Sequence, residues 1–162
     1  MNLPYPSTST TAAATAPDAA DCSAAAKRLA HFFETLSPHS VAEVAQYYAA
    51  DARFKDPFND VRGTAAIGQI FAHMFSALEQ PRFVVTGQVV QGLQCFMTWE
   101  FRFGFKRFQR GAQAVRGGSL LRFDAHGLIV EHRDYWDAAE ELYEKLPWVG
   151  ALMRWLKRRA NS

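Results

Sequence analysis

The spacing of the hydrophobic positions changes once along the chain, from a helical period to a strand period. In the first half, apolar residues recur three and four positions apart, which is typical of amphipathic helices. Three helices are predicted, with apolar faces in Leu29–Leu36, Val41–Tyr48 and Ile67–Leu78. Asp21 or Ser23 can cap the first of them. The first half is therefore expected to be helical, apart from a short extended piece that precedes Asp56-Pro57.

From Arg82 onward the period is two, which is typical of strands with one buried face. A first strand is predicted for Phe83–Val90 and a long one for about Leu93–Phe108. The apolar face of the long strand consists of its odd-numbered positions, Cys95, Met97, Trp99, Phe101, Phe103 and Phe105. Helices followed by antiparallel strands predict an α+β fold, and the aromatic inner positions indicate a sheet that curves around a pocket.

The strand pattern continues to the end of this region in two further strands. A return strand ends at Ser119–Phe123, and Asp124–Gly127 has the composition of a hairpin turn. The last strand is predicted for Leu128–Trp136. Earlier in the chain, Glu79-Gln80-Pro81 is expected to close the third helix, because proline cannot continue a helix.

Asp56 stands directly before Pro57 and between two phenylalanines, Phe54 and Phe58. Proline fixes its own φ and biases the preceding residue toward extended geometry. The carboxylate is therefore held on a stiff backbone among apolar neighbours. Two interpretations remain open for it, a turn-former and an acid–base group.

The two ends of the chain differ from its middle. Residues 1–22 are rich in Ala, Ser, Thr and Pro and nearly uncharged, which predicts a disordered leader and lacks the features of a secretory signal. Residues 23–137 form the predicted domain, and residues 138–162 an amphipathic helical extension. The Trp-rich, basic segment Trp148–Arg159 can pack on the same chain, on a partner or on a membrane surface. A cytoplasmic location is expected.

Composition excludes several function classes. The net charge of +2 is too small to indicate a nucleic-acid partner, and the basic residues near the long hairpin fit a solvated strand face. Cys22 and Cys95 match no metal-ligand spacing, and no phosphate-binding glycine loop or nucleophile motif is present. We therefore expect no metal, no cofactor and no nucleic acid. Aromatic residues (Phe 13, Tyr 5, Trp 4) exceed what a small core needs, so some are available to line a cavity.

The order of these elements resembles the nuclear-transport-factor-2-like superfamily, above all its SnoaL-like polyketide cyclase and ketosteroid isomerase branches. The resemblance covers about Ala26–Trp136 and is carried by Tyr48–Ala52, Asp56-Pro57, Gly63–Ile67 and Leu121–Ile129. It implies a cone-shaped, curved antiparallel sheet wrapped around three N-terminal helices, with an extra C-terminal helix here. It also implies a homodimer formed through the sheet. The fold hosts enzymes as well as non-catalytic proteins.

The resemblance also implies roles for individual residues. Asp56 falls where the isomerases place their proton-shuttling carboxylate, and Asp134 where the polyketide cyclases place an acid–base Asp. Phe32 and Ser119 take the places of the Tyr and Asp that form the isomerases' oxyanion hole. Phenylalanine donates no hydrogen bond and serine only a neutral one, so steroid isomerisation is not expected. Strand alternation puts His132 on the same face as Asp134.

These residues predict cofactor-independent proton transfer on a small apolar carbonyl compound, by isomerisation, cyclisation or dehydration. Asp56 and Asp134 would act as the acid and the base, and His132 as a donor to an anionic intermediate. The residues expected to line the ligand site are Phe32, Tyr48, Met97, Trp99, Phe101, Ser119 and Trp136. The alternative is a non-catalytic module of the same fold that binds a ligand, dimerises or binds a partner.

Overall fold

The structure, a computed structural model, describes residues 22–105 and 111–137. The predicted leader up to residue 21, the end of the long strand beyond residue 105 and the C-terminal extension lie outside the described residues. The helices are α1 Ser23–Glu34, a 3-10 helix Ser40–Gln46 and α2 Thr64–Ala77. The strands are β1 Tyr48–Lys55, β2 Asp60–Arg62, β3 Leu78–Gln91, β4 Gln94–Phe105, β5 Gln113–Phe123 and β6 Ile129–Tyr135. Neither α-helix has the length and apolarity that crossing a membrane requires.

The six strands form one open sheet in the order β2-β1-β6-β5-β4-β3. Strands β3 to β6 follow one another in antiparallel pairs, as their spacing predicted. Strand β1, however, runs parallel to β6, so the sheet is mixed rather than entirely antiparallel. Parallel strands need a long crossover, which here includes α2 and the three strands that follow it. The fold is α+β, with the curved sheet covered by the N-terminal helices.

The second helix is shorter than predicted, and Tyr48 belongs to β1 instead of ending it. The 3-10 helix stops at Gln46, and the backbone N–H of Ile129 donates to the Tyr47 carbonyl at 2.8 Å. Pairing with β6 satisfies the backbone of Tyr48 and buries its ring to 1% exposure. Strand pairing therefore outweighs the local helical spacing.

Helix α1 buries the predicted residues Leu29, Phe32 and Phe33 against the sheet. Its first turn differs from the prediction, because Cys22 is the N-cap residue and no side chain caps the helix. The Cys22 N–H donates to the Gly92 carbonyl at 3.0 Å, which ties α1 to the β3–β4 turn. Cys22 therefore belongs to the packed domain rather than to a leader.

Helix α2 runs directly into β3 at Leu78, so Glu79-Gln80-Pro81 lies in a strand. Leu78 and Glu79 pair with Phe105 and Gly104 of β4, and Gln80 adopts a positive φ of 47°. The long β4 provides backbone partners for Leu78 and Glu79, so the chain enters the sheet three residues before Pro81. The helix buries Ile67 and Phe71.

Strand β4 confirms the predicted alternation. Cys95, Met97, Trp99 and Phe103 are buried on the inner face. Gly117 of β5 makes room for one of them, because a Cβ there would lie 2.5 Å from Cη2 of Trp99. The indole of Trp99 therefore lies against the backbone of the neighbouring strand and is fixed in position.

Both cysteines are buried in the core, and neither forms a disulfide with a described residue. Burial raises the pKa of Cys95 to about 11, and the neighbouring Cys22 thiol raises it further in the same direction. A thiol with a raised pKa is a weak nucleophile. The pair therefore contributes packing rather than reactivity.

The buried face of β5 provides a test of this packing. Leu121 is 0% exposed, whereas Leu120 is half-buried on the opposite face of the same strand. Leu121→Ala is expected to lower the free energy of unfolding by about 2–5 kcal/mol, because it leaves a cavity in the core. Leu120→Ala should cost below about 1 kcal/mol. Urea unfolding of both variants measures the difference, and equal losses would contradict the assigned faces.

Candidate functional site

Five polar side chains form one hydrogen-bonded chain across the inner face of the sheet. Tyr48 comes from β1, His132 and Asp134 from β6, Ser119 from β5 and Trp99 from β4. These four strands are consecutive neighbours in the sheet. Ser119 faces Asp134 in the β5–β6 register, and His132 faces Phe54 in the β1–β6 register. Inward-pointing positions on adjacent strands therefore bring the five side chains together.

The distances determine which group donates to which. Trp99 Nε1–H donates to Ser119 Oγ at 2.9 Å, and Ser119 O–H donates to Asp134 Oδ1 at 2.5 Å. His132 Nε2 lies 2.7 Å from the same Asp134 oxygen. The Tyr48 hydroxyl lies 2.7 Å from His132 Nδ1. An ionised Asp134 accepts from Nε2–H, which leaves Nδ1 as the acceptor for the Tyr48 hydroxyl.

The network is buried except at its Asp134 end. Tyr48, Ser119 and His132 are 1%, 2% and 3% exposed, and the Asp134 side chain is 16% exposed. Burial raises the pKa of Tyr48 well above its ordinary value, and the charge of Asp134 raises it further. Tyr48 therefore stays protonated and acts as a donor. Buried polar groups are costly unless they are paired, and every donor in this chain has an acceptor.

Aromatic rings enclose the His132 imidazole. Phe54 meets it edge-on at 4.8 Å between centroids, and Phe33 lies at 5.7 Å. Both ring nitrogens are engaged, one with Tyr48 and the other with Asp134. His132 therefore positions Asp134. The prediction that it donates to a bound intermediate does not agree with this geometry, because its N–H already faces Asp134.

Asp134 is anchored through one oxygen only. Ser119 and His132 both contact Oδ1, and none of the residues in 22–105 and 111–137 makes a hydrogen bond to Oδ2. The residue borders an inner chamber of about 10 Å³, which has room for at most one water molecule. It also borders an open groove of about 750 Å³ along Lys55–Asp60 and Arg133–Asp137.

Asp56 has the turn-forming role that was one of its two interpretations. Its Oδ1 accepts from the backbone N–H groups of Phe58 at 2.7 Å and Asn59 at 2.6 Å. The Asn59 side chain donates to Oδ2 at 2.9 Å. Asp56 and Asp134 both border the open groove, but no cavity among the described residues is lined by Asp56, Asp134 and His132 together. The structure therefore brings His132 and Asp134 together and leaves Asp56 apart from their hydrogen-bonded network.

An apolar cavity of about 320 Å³ lies between α2 and the sheet. Aromatic side chains from several elements line it, among them Phe54, Phe71, Trp99, Phe101, Phe103 and Trp136. Asp56 and the exposed His73 are the ionisable groups of its described lining. Phe83 and Trp99, whose rings meet edge-on at 5.7 Å, border both this cavity and the inner chamber. They form the partition between the apolar space and the polar network.

The residues predicted to line the ligand site divide into three groups. Trp99, Phe101 and Trp136 line the apolar cavity, and Met97 and Ser119 line the inner chamber. Tyr48 lines neither space and instead supports His132. Phe32 stacks on Tyr47 at 4.2 Å within the core.

Phe83 and the supporting role of Tyr48 were missed by sequence reasoning. Phe83 begins a predicted strand, but the spacing does not show that it divides two cavities. Tyr48 and His132 are 84 positions apart, and only the parallel β1–β6 pairing brings them together. Within the described ranges, no group of three His, Cys, Asp or Glu side chains is arranged to hold a metal ion.

The model of the SnoaL-like domain family matches residues 29–132. No curated protein matches the chain significantly. Among solved structures, a hypothetical protein of ketosteroid isomerase-like fold from Catenulispora acidiphila, in complex with trimethylamine, is 18% identical with a TM-score of 0.62, covering 73% of this chain and 88% of its own.

Two further solved structures have the same fold with different names. An LEH-like epoxide hydrolase from M. tuberculosis is 12% identical with a TM-score of 0.60, covering 74% of this chain and 85% of its own. A putative isomerase of the SnoaL-like family from Agrobacterium tumefaciens is 17% identical with a TM-score of 0.56. The match covers 70% of this chain and 95% of the isomerase. At these identities the likeness shows the fold alone.

The hydrogen bond between Tyr48 and His132 can be tested by mutation. Tyr48→Phe keeps the ring but leaves the buried Nδ1 of His132 without a donor, and this should lower the free energy of unfolding by about 1–3 kcal/mol. Tyr47→Phe is the matched control, because no hydrogen bond of the Tyr47 hydroxyl is formed with the described residues; its expected cost is within about 0.5 kcal/mol. Equal costs in urea unfolding would contradict the network.

The stability difference between the wild type and Tyr48→Phe is expected to depend on pH. Because Tyr48 has a raised pKa in the folded protein, the unfolded chain loses this proton first as pH rises above the ordinary value of 10.0. The free energy of unfolding of the wild type should then fall with rising pH, and Tyr48→Phe should lack this share of the decrease. The stability difference between wild type and Tyr48→Phe should therefore shrink above about pH 10.

Proposed function

The chain belongs to the SnoaL-like domain family, and we propose that it binds a small apolar organic molecule in its cone and uses Asp134 for proton transfer. The chemistry is cofactor-independent acid–base catalysis of the isomerisation, cyclisation or dehydration type. Asp134 is the group that takes or returns the proton. His132, Ser119 and Tyr48 position it.

The observation that carries this proposal is the one-sided anchoring of Asp134. Two hydrogen bonds hold Oδ1, and Oδ2 is left without a hydrogen bond from the described residues. The remaining lone pairs therefore have a fixed direction before any ligand arrives, which is the preorganisation that general acid–base catalysis needs. A carboxylate that served only the core would be expected to have both oxygens paired.

The cavity supports the binding half of the proposal. A volume of about 320 Å³ lies within the range of small-molecule sites, and apolar lining favours an apolar ligand. Phe58, Trp136 and Asp56 border both the cavity and the open groove that contains Asp134. A ligand seated among the aromatic rings with one end past Trp136 would approach Asp134 from the groove side.

Neighbouring structures support both halves. One neighbour is an epoxide hydrolase and another a putative isomerase, so the fold accommodates catalysis on small organic molecules. A third neighbour was solved in complex with trimethylamine, a small organic base. By analogy, we assign binding to the apolar cavity of this chain and chemistry to the adjoining groove that Asp134 borders.

A second candidate function is a non-catalytic module that binds a ligand or a partner. It is favoured by Asp56, which serves a turn, and by His132, whose nitrogens are both engaged. The outer face of the sheet favours the partner version, including a homodimer, because Val89, Phe96 and Tyr135 are 70%, 42% and 47% exposed there. Val89 pairs directly with Phe96 across β3 and β4.

Binding can be tested with the neutral fluorescent probe N-phenyl-1-naphthylamine. The wild type should bind it saturably, because the ring system fits the apolar cavity. Ala77→Phe places a ring into the cavity lining and should weaken binding at least tenfold. Ala72→Phe, on the same helix but bordering a different groove, should leave it within twofold. Equal affinities in both variants would place the probe elsewhere.

Catalysis can be tested with Asp134→Asn. The amide oxygen can still accept from Ser119 and His132, so the unfolding free energy and probe binding should change little. Turnover of any hydroxy or carbonyl compound that NMR screening shows the wild type to convert should be lost. Wild-type turnover by Asp134→Asn would remove the acid–base role and leave the binding module.

A further inference from the structure

The side-chain donors of the polar network that line the inner chamber are all engaged in hydrogen bonds within the network. Trp99 donates to Ser119, Ser119 donates to Asp134, and His132 Nε2 is occupied by Asp134. Tyr48 is buried behind His132 and donates to it. The inner chamber therefore offers a ligand no free donor from its described lining. Among the described residues, no group donates to Asp134 Oδ2, which is an acceptor on a carboxylate that borders both the chamber and the open groove.

The apolar cavity has the same bias. Asp56 accepts hydrogen bonds and carries negative charge, and its described lining includes no lysine or arginine. His73 is the one ionisable group there that can donate, and it is exposed on α2. The aromatic rings add electron-rich faces, which attract cations. In the groove, Lys55 is paired with Asp60 at 2.9 Å, and the Arg133 guanidinium lies over the Tyr135 ring at 5.1 Å.

A carbonyl or a carboxylate placed against Asp134 Oδ2 would face a lone pair instead of a donor. An unpaired polar group that leaves water costs about 1–3 kcal/mol, and an anion facing an anion costs more. A hydroxyl or an ammonium group replaces its water with the free Asp134 oxygen. The ammonium gains a charge-assisted hydrogen bond in addition.

We propose that the natural ligand of this cavity is an apolar molecule that ends in a hydrogen-bond donor, a protonated amine or a hydroxyl, held by Asp134 Oδ2. Its apolar body lies among the aromatic rings, and its polar end passes Phe58 and Trp136, which meet edge-on at 5.4 Å where cavity and groove join. This ligand class rests on the proposed function. It differs from the carbonyl compound expected from the sequence, because the structure offers an acceptor where a carbonyl needs a donor.

A matched series of naphthalenes tests this ligand class. 1-Naphthylmethylamine, 1-naphthalenemethanol, 1-acetylnaphthalene and 1-naphthoic acid share one ring system and differ only at the polar end. In calorimetric titrations at pH 7, the amine should bind most tightly and the alcohol next. The ketone and the acid should each bind at least tenfold more weakly than the amine.

Three variants assign the preference to its group. Asp134→Asn should reduce amine affinity at least tenfold and leave the ketone within threefold. Asp51→Asn removes the same charge at an exposed position of β1 and should leave all four affinities unchanged. Loss of the preference in Asp56→Asn but not in Asp134→Asn would overturn the assignment to Asp134.

The outcomes separate this inference from the proposed function. Binding of the series with equal affinities, or with the ketone or acid tightest, overturns the donor-ended class while the ligand cavity stands, provided that Ala77→Phe still blocks binding. Failure of all four compounds and of the neutral probe to bind overturns both.

Discussion

The parallel pairing of β1 with β6 is the constraint on which the rest of the site depends. It brings Tyr48, from the N-terminal half of the chain, next to His132 of the last strand, with 2.7 Å between the Tyr48 hydroxyl oxygen and His132 Nδ1. It also brings Phe54 against the imidazole. Without this pairing, the buried Nδ1 of His132 would lack a donor, and the imidazole would be held only by its hydrogen bond to Asp134.

A polar network inside an aromatic core is stable only if all its members are paired. Here each donor is used within the network, and Asp134 Oδ2 receives no hydrogen bond from residues 22–105 or 111–137 at the end of the network that approaches solvent. Packing contributes as well, because Phe33 and Phe54 hold the imidazole and Gly117 admits the Trp99 indole. The same arrangement that satisfies the core therefore leaves one oriented acceptor on a carboxylate of the groove that adjoins the apolar cavity.

Local patterns in the sequence were sufficient for much of the fold. The alternation in β4, the hairpin turn at Asp124–Gly127 and the apolar faces of α1 and α2 agree with the structure, because each depends on residues close in sequence. The family resemblance was confirmed as well. The assignment of Tyr48 to a helix was wrong, because its strand partner lies in β6, far along the chain.

The site was less predictable for a related reason. Strand alternation correctly placed His132 and Asp134 on one face, but periodicity does not show which atoms are already engaged. Whether His132 could donate to a ligand depended on Tyr48, and whether Asp56 was available depended on the backbone of Phe58 and Asn59. The chemistry of such a site follows from hydrogen bonds between distant elements, which residue spacing leaves undetermined.

The account depends most directly on the tautomer of His132, that is, on whether Nε2, which faces Asp134, carries the proton. Long-range 1H–15N correlation spectra of the 15N-labelled protein, with His132 assigned by comparison with a His132→Gln variant, report this directly. The account predicts a slowly exchanging proton on Nε2, hydrogen-bonded to Asp134, and Nδ1 with the chemical shift of a nitrogen that accepts from Tyr48. A proton found on Nδ1 with Nε2 unprotonated would contradict it, because Asp134 would then lose the hydrogen bond from His132 and keep only the one from Ser119.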